Sequence, residues 1–340
     1  MGKNSQPEEQ SAWGAQRRCF VKRGGLLLAG LGITACGPRV WGVGSDGELS
    51  AGGREGAVPA DSEPAPSTAE RESLLKSTES APITIGLITD IHHADKPHQG
   101  TRYYRESMEK FREARQVFRD SQVDFAVELG DLIDAAPSVD EELRLLDQMQ
   151  RELTQLASPW HYVLGNHCVQ TLHKEEFLNA TSRRKSYYSF DHRGLHFVIL
   201  DACFREDFAP YGRGNFQWTD ANLPERELRW LRDDLRRGAE PTVVFVHQRI
   251  DRDPPDNHTV KQSRQVRQIL EESGRVVAVF QGHSHKNDYQ QIRGIHYCTM
   301  RAMIEGSGAE QSGYALLDAW PDGTLRVRGV RDQATYAWPA

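Results

Sequence analysis

Five short segments rich in histidine and aspartate punctuate this chain, and each follows a run of apolar residues. They are Asp90-Ile91-His92, Gly130-Asp131-Leu132-Ile133-Asp134, Gly165-Asn166-His167, Val246-His247 and Gly282-His283-Ser284-His285. The runs before them, at 83–89, 123–129, 160–164, 242–246 and 276–280, read as buried strands. Polar side chains that begin where buried strands stop share one rim of an α/β sheet, where such folds place their ligands.

The stretches between these runs supply the rest of the architecture. A helix is expected from Thr101, with Tyr104, Met108, Phe111 and Phe118 on its core face. Ser138-Val139-Asp140-Glu141 has the form of a capping box, and Leu146, Met149, Leu153 and Leu156 give the helix after it an apolar face. Two strand-like runs at 186–190 and 195–200, joined by Asp191-His192-Arg193-Gly194, read as a hairpin. Leu228, Leu231 and Leu235 mark another helix, and a further one runs from about Val260 to near Gly274. Strand alternation returns at 289–299 and 314–330. Parallel-type strands joined by helices and interleaved with hairpins predict an α/β domain over residues 82–340, built as two packed sheets flanked by helices.

Seven of the rim residues are oxygen or imidazole donors, enough for two metal ions. Asp131 is the expected bridge between them. Asp90, His92 and His285 complete one site, and Asn166, His247 and His283 the other. A mixed N/O set without thiolate suits Mn, Fe or Zn better than Mg or Ca. Water held between two such ions loses its proton near neutral pH and becomes a nucleophile. His167 is the candidate to stabilise charge or protonate a leaving group, with Asp134 orienting a ligand from behind. The glycines before Asp131, Asn166 and His283 are expected to permit tight turns with unusual backbone angles. Asp90 and His92, two apart in an extended segment, point to one side, so His93 points away. Arg102 and Tyr103 are expected to look toward the site, and Phe204 and Arg205, in a loop reaching Tyr211, to contact substrate. His161, His196 and His296 read as packed structural histidines, and His98, His173, His192 and His258 as surface residues.

The amino terminus reads as an address. Gln16-Arg17-Arg18-Cys19-Phe20-Val21-Lys22 precedes a short Gly-rich apolar run, the form of a twin-arginine export signal over residues 1–36. Ile33-Thr34-Ala35-Cys36 resembles a lipobox that would anchor the mature protein to a membrane through Cys36. Residues 37–81, rich in Gly, Ser, Ala, Pro and Glu, are expected to be a disordered tether. Export would place the domain in the periplasm or on a membrane. The net charge of the chain is -6, although residues 1–35 carry five basic side chains against two acidic ones. An acidic body argues against long nucleic acid as a partner. Cys168, Cys203 and Cys298 fall in the domain, an odd set compatible with one disulfide and a free thiol or with three separate thiols.

Taken together, the five motifs resemble the calcineurin-like metallophosphoesterase superfamily over about residues 83–300. The resemblance implies a four-layer α/β/β/α fold with a two-metal site, the ligands assigned above, and His167 as the catalytic histidine. Asp90-Ile91-His92-His93-Ala94-Asp95, Thr101-Arg102-Tyr103-Tyr104-Arg105-Glu106-Ser107, Gly130-Asp131-Leu132-Ile133-Asp134 and Phe197-Val198-Ile199-Leu200-Asp201-Ala202 are similar to the manganese-dependent ADP-ribose/CDP-alcohol diphosphatases. That likeness implies hydrolysis of a small nucleotide-linked diphosphate. Two positions depart from it: His92 stands where that family usually has Gln, and Cys168 where an acidic residue follows the Gly-Asn-His. Asp134 stands where purple acid phosphatases carry their metal-binding tyrosine. A broad-specificity phosphomonoesterase or phosphodiesterase and a non-catalytic metal-binding lipoprotein are the competing readings.

Overall fold

Strand β1 (Ile83–Ile88) alternates its side chains between two cores, and the rest of the domain is arranged around that alternation. Ile83, Ile85 and Leu87 face the interior between two sheets, whereas Ile88 faces a layer of helices. Gly86 also lies on the helix side, and the ring of Phe118 fills the place of its missing side chain: a Cβ there would sit 2.6 Å from Phe118 Cδ2. The computed structural model describes residues 81–215 and 217–340. The expected export signal, Cys36 and all but the last residue of the expected tether lie outside them.

The first sheet has six strands. β1 pairs in parallel with β2 (Phe125–Glu128), and β2 with β3 (Trp160–Tyr162). On its other side β1 runs antiparallel to β10 (Gly313–Ala319), followed by β11 (Leu325–Arg331) and β12 (Tyr336–Trp338). The second sheet starts with the hairpin of β4 (Tyr188–His192) and β5 (Leu195–Ile199). It continues in parallel through β6 (Thr242–Phe245), β7 (Val276–Gln281) and β9 (Ile295–Thr299), and ends on antiparallel β8 (Asp288–Ile292). Its hairpin turn is tighter than expected. Only Arg193 and Gly194 lie outside the strands, at φ 44° and 81°, the left-handed geometry that a two-residue turn between twisted strands requires.

Helices α1 (Ser107–Asp120), α2 (Val139–Leu153) and α3 (Lys174–Ala180) cover the first sheet through Phe111, Phe118, Leu146, Met149 and Phe177. Helices α4 (Glu225–Leu235) and α5 (Ser263–Ser273) cover the second through Leu228, Leu231, Val266 and Leu270. The result is the four-layer α/β/β/α sandwich with mixed sheets that the motifs implied. α1 starts later than expected, after a 3-10 turn at Tyr104–Glu106. Backbone bridges from Arg102 to Gln99 and Glu305 hold the preceding residues extended. α2 starts as expected, with Ser138 Oγ accepting from the Glu141 N–H at 3.2 Å. α5 stops at Gly274, whose φ of 67° is the left-handed conformation that closes a helix at low cost for glycine. α3 and β12 were not foreseen, being seven and three residues long, too short for a clear period.

Candidate metal centre

The segments that leave parallel strands of both sheets carry the candidate ligands to one rim. Asp90 follows β1, Asp131 follows β2, and Asn166 follows β3; His247 follows β6, and His283 and His285 follow β7. Asp90, Asp131, His92, Asn166 and His247 are at most 1% exposed, and His283 and His285 at most 8%.

Their backbones are strained. Asp90, His92, Asp131, His283 and His285 have φ of 51°, 46°, 60°, 67° and 63°. Left-handed conformations at non-glycine residues cost roughly 1–3 kcal/mol each, so the surroundings must impose them. Asp90 N–H donates to Gly130 O at 2.9 Å, His92 N–H to Asp131 O at 2.8 Å and Gly282 N–H to His247 O at 3.0 Å. The Asp90-Ile91-His92 segment is therefore not extended, contrary to expectation. The glycines also act differently from expectation. Gly130 has a positive φ of 107°, but at Gly165 and Gly282 the need is for room: a Cβ would lie 2.0 Å from the Asp131 nitrogen and 2.1 Å from Thr89 Oγ1.

Three clusters result, each with ligand atoms within 4.8 Å of one another: Asp90, His92 and His285; His92, Asp131 and His167; Asp131, His247 and His283. Asp131 joins the second and third. Its Oδ2 lies 3.1 Å from His247 Nε2 and 3.6 Å from His92 Nε2. Asp90 Oδ1 is 3.3 Å from His285 Nε2, and Asn166 Oδ1 is 3.5 Å from Gln248 Nε2. Burial works to raise the Asp131 carboxyl, but the charges of His247, His167 and His92 outweigh it and hold the group below its ordinary range. His92 is opposed by burial in turn, yet Asp134, Asp90 and Asp131 push it up to about 10. Burial and the neighbouring His247 instead keep His283 well below the usual imidazole value.

These residues fit divalent cations. His283 Nε2 is buried without a hydrogen-bond partner, and Asp90 Oδ1 and His247 Nε2 have only the carboxylate–imidazole approaches given above, without hydrogen-bond geometry, a state that is costly unless a ligand satisfies them. The remaining ring nitrogens are held from behind, as ligating histidines require. His247 Nδ1 donates to Leu129 O at 2.8 Å, His285 Nδ1 pairs with Glu305 Oε1 at 2.7 Å, and His92 Nδ1 lies 3.1 Å from Asp134 Oδ2. Asp134 also reaches His167 Nδ1 at 3.3 Å and Lys96 Nζ at 2.8 Å.

Other expected positions fall differently. Arg102 is half-buried, and its backbone pairs with Glu305. The Tyr103 ring stacks on His98 at 5.2 Å. Phe204 is 2% exposed, with Lys174 Nζ 3.3 Å and the Arg226 guanidinium 5.4 Å from its ring centre. It packs inward and presents no open face to a ligand, because these cations cover its ring. The Arg205 guanidinium lies 3.6 Å from Asp207. His93 points away as expected, between Ser107 Oγ and Gln148 Oε1. His161 stacks on Phe190, His196 pairs with Asp191 and Asp234, and His296 stacks on Trp338. Cys168, Cys203 and Cys298 are buried free thiols.

His258 is not a plain surface residue. Its ring lies 5.4 Å from His283 and 5.3 Å from Trp218, and Trp218 lies 5.9 Å from His283. Trp218 is 40% exposed, so an open aromatic ring adjoins the rim. Trp218 and Glu305 join the rim from positions that the strand-end pattern does not mark. Trp218 stands alone in a loop and Glu305 follows no strand run, so neither carried a signal.

A rim of buried oxygen and imidazole donors between two helix-covered sheets fits a metal centre. A family model described as calcineurin-like phosphoesterase matches residues 83–287. The chain belongs to that family and is a metal-dependent phosphohydrolase. The manganese-dependent ADP-ribose/CDP-alcohol diphosphatase of Oryza sativa subsp. japonica is 23% identical over 291 residues, spanning 72% of this chain and 90% of its own. The protein of the same name from Arabidopsis thaliana is 28% identical over 308 residues, spanning 74% and 96%. In fold, the chain is similar to a dimetal phosphatase from Danio rerio, with a TM-score of 0.66 at 21% identity over 76% of this chain and 100% of that one. A purple acid phosphatase from yellow lupin gives 0.51 at 13% identity, over 76% and 53%.

Proposed function

We propose that this chain is an exported two-cation phosphohydrolase that cleaves the phosphoanhydride of nucleotide-linked diphosphates such as ADP-ribose or CDP-alcohols. The observation that carries the substrate class is similarity to diphosphatases of that name across about nine-tenths of their length. The twin-arginine pattern at residues 16–22 and the lipobox-like Ile33-Thr34-Ala35-Cys36 support export and a lipid anchor.

In this reading Asp90, His92 and His285 would hold one cation and Asn166, His247 and His283 the other, with Asp131 as the ligand they would share. Mn, Fe or Zn bound there would supply Lewis acidity and a water acidic enough to ionise near neutral pH. The chain's own groups do the rest. Asp134 approaches the Nδ1 edge of His167 at 3.3 Å and orients the ring, and the proton-transfer role is assigned to Nε2. His167 holds a proton there and passes it to the departing phosphate oxygen. Its backbone N–H donates to Asp131 Oδ1 at 2.7 Å, which places the residue beside that carboxylate. Trp218 offers its open face to the nucleobase, and the half-buried His258 ring backs it.

The test is product analysis with the full chain loaded with Mn(II). ADP-ribose should yield AMP and ribose 5-phosphate, and CDP-choline should yield CMP and phosphocholine, both faster than p-nitrophenyl phosphate is hydrolysed. Preference for the monoester would replace the diphosphatase reading with a general phosphatase. Full cation loading without turnover on any of the three would favour a metal-binding lipoprotein.

A further inference from the structure

Lys110 lies in the interior of α1 and is fully buried. Its ammonium sits against a run of four consecutive carbonyl oxygens: Met303 O at 3.1 Å, Ile304 O at 3.4 Å, Glu305 O at 2.9 Å and Gly306 O at 2.6 Å. Four carbonyl dipoles converging on one point repel one another unless a cation sits among them, so the lysine stabilises the shape of this turn.

The turn braces the metal centre from behind. Met303 N–H donates to Thr89 O and Ile304 N–H to Asp90 O, both at 3.0 Å. Gly306 N–H donates to Thr101 O at 2.8 Å. The Glu305 side chain takes His285 Nδ1 at 2.7 Å. One turn thus fixes the backbone of Asp90 and the ring of His285, whose ligand atoms lie 3.3 Å apart.

We infer that Lys110 is a positioning residue for the cation held by Asp90, His92 and His285, acting through the turn at 303–306 and the Glu305–His285 pair. This rests on the ligand assignment above. Lys110 acts through the hydrogen bonds of the turn, which run to Thr89, Asp90, Thr101 and His285, so its effect falls first on the site that holds Asp90 and His285.

The experiment is a Mn(II) titration of the full chain, following free Mn(II) by electron paramagnetic resonance, with circular dichroism as a check on folding. Lys110→Met should weaken one of the two sites about 10–100-fold, the usual cost of losing a supporting partner of a ligand, and leave the other within about twofold. Glu305→Gln should weaken the same site. Because both variants cut one linkage, the double variant should be no weaker than the worse single one. Should Lys110→Met not fold, Lys110→Arg carries the same expectation, since a planar guanidinium cannot replace a compact ammonium among four carbonyls. Wild-type affinities at both sites in the folded Lys110 variant, or additive losses in the double variant, would overturn the inference. Failure of the wild-type chain to take up two Mn(II) would instead overturn the ligand assignment, so the two failures are distinguishable.

Discussion

The backbone N–H of His167 donates to Asp131 Oδ1 at 2.7 Å, tying the residue proposed to move a proton to the carboxylate proposed to bridge two cations. The other carboxylate oxygen, Oδ2, faces His247 and His92. This one aspartate therefore anchors the backbone of His167 and, in the proposed centre, would belong to both cation sites. The histidine contributes its backbone to that link, while its ring approaches Asp134 at 3.3 Å.

Replacing the ring should separate binding from turnover. His167→Ala retains the backbone bond to Asp131, so Mn(II) content should stay at the wild-type level. Loss of general acid assistance should lower kcat about 10²–10⁴-fold on ADP-ribose. Elemental analysis and steady-state kinetics on one preparation check this; a wild-type rate would remove His167 from the mechanism.

Trp218 should act on affinity and specificity. Stacking of one base on an aromatic ring is worth roughly 1–3 kcal/mol. Trp218→Ala should therefore raise KM for ADP-ribose about 5–150-fold and change hydrolysis of a base-free ester such as glycerol phosphate by less than about threefold. Equal losses on both substrates would assign the residue to packing.

Glu142, in the first turn of α2, gives stability an unusual pH dependence. It is fully buried, and desolvation, opposed by hydrogen bonds from Thr171 and Ala136, pushes its carboxyl from 4.5 up to about 7. A carboxyl with a raised folded-state value favours the native state fully below about 4.5, and that contribution is lost as pH rises through about 7. Glu142→Gln should accordingly raise Tm more at pH 8 than at pH 5. An equal shift at both values would show that the carboxyl is not held protonated.

Gly86 and Phe118 test the packing of β1 against α1. A methyl group at Gly86 would lie 2.6 Å from the Phe118 ring, and the displaced ring contacts Trp160 and Tyr314. Gly86→Ala should cost about 1–3 kcal/mol, the usual range for overpacking a core, as measured by urea unfolding of the metal-free chain. Gly86→Ala combined with Phe118→Leu should recover part of that loss.

The rim was legible because Asp90, Asp131, Asn166, His247 and His283 each end an apolar run, so sequence position alone placed them together. Their backbone conformations were not legible. Positive φ at Asp90 and His92 comes from hydrogen bonds to residues 130 and 131, contacts that exist only once β1 and β2 pair. Lys110 was hidden for a related reason: it precedes Phe111 on an amphipathic helix, and its carbonyl partners lie 193 to 196 residues away. Glu305 and Trp218 are single side chains brought in by loops, where no periodicity marks an inward-facing position. Phe204 misled because an aromatic residue beside an arginine in a loop has the composition of a binding site, whereas the folded chain uses Lys174 and Arg226 to cover its ring.

The measurement that bears most directly on the centre is the number of Mn(II) ions held per chain, compared between the wild type and Asp131→Asn after equilibration and removal of free metal. A shared carboxylate predicts two in the wild type and fewer than one in the variant, since both sites lose the same charged ligand. Two ions retained by Asp131→Asn, with its fold intact, would contradict a centre built on Asp131.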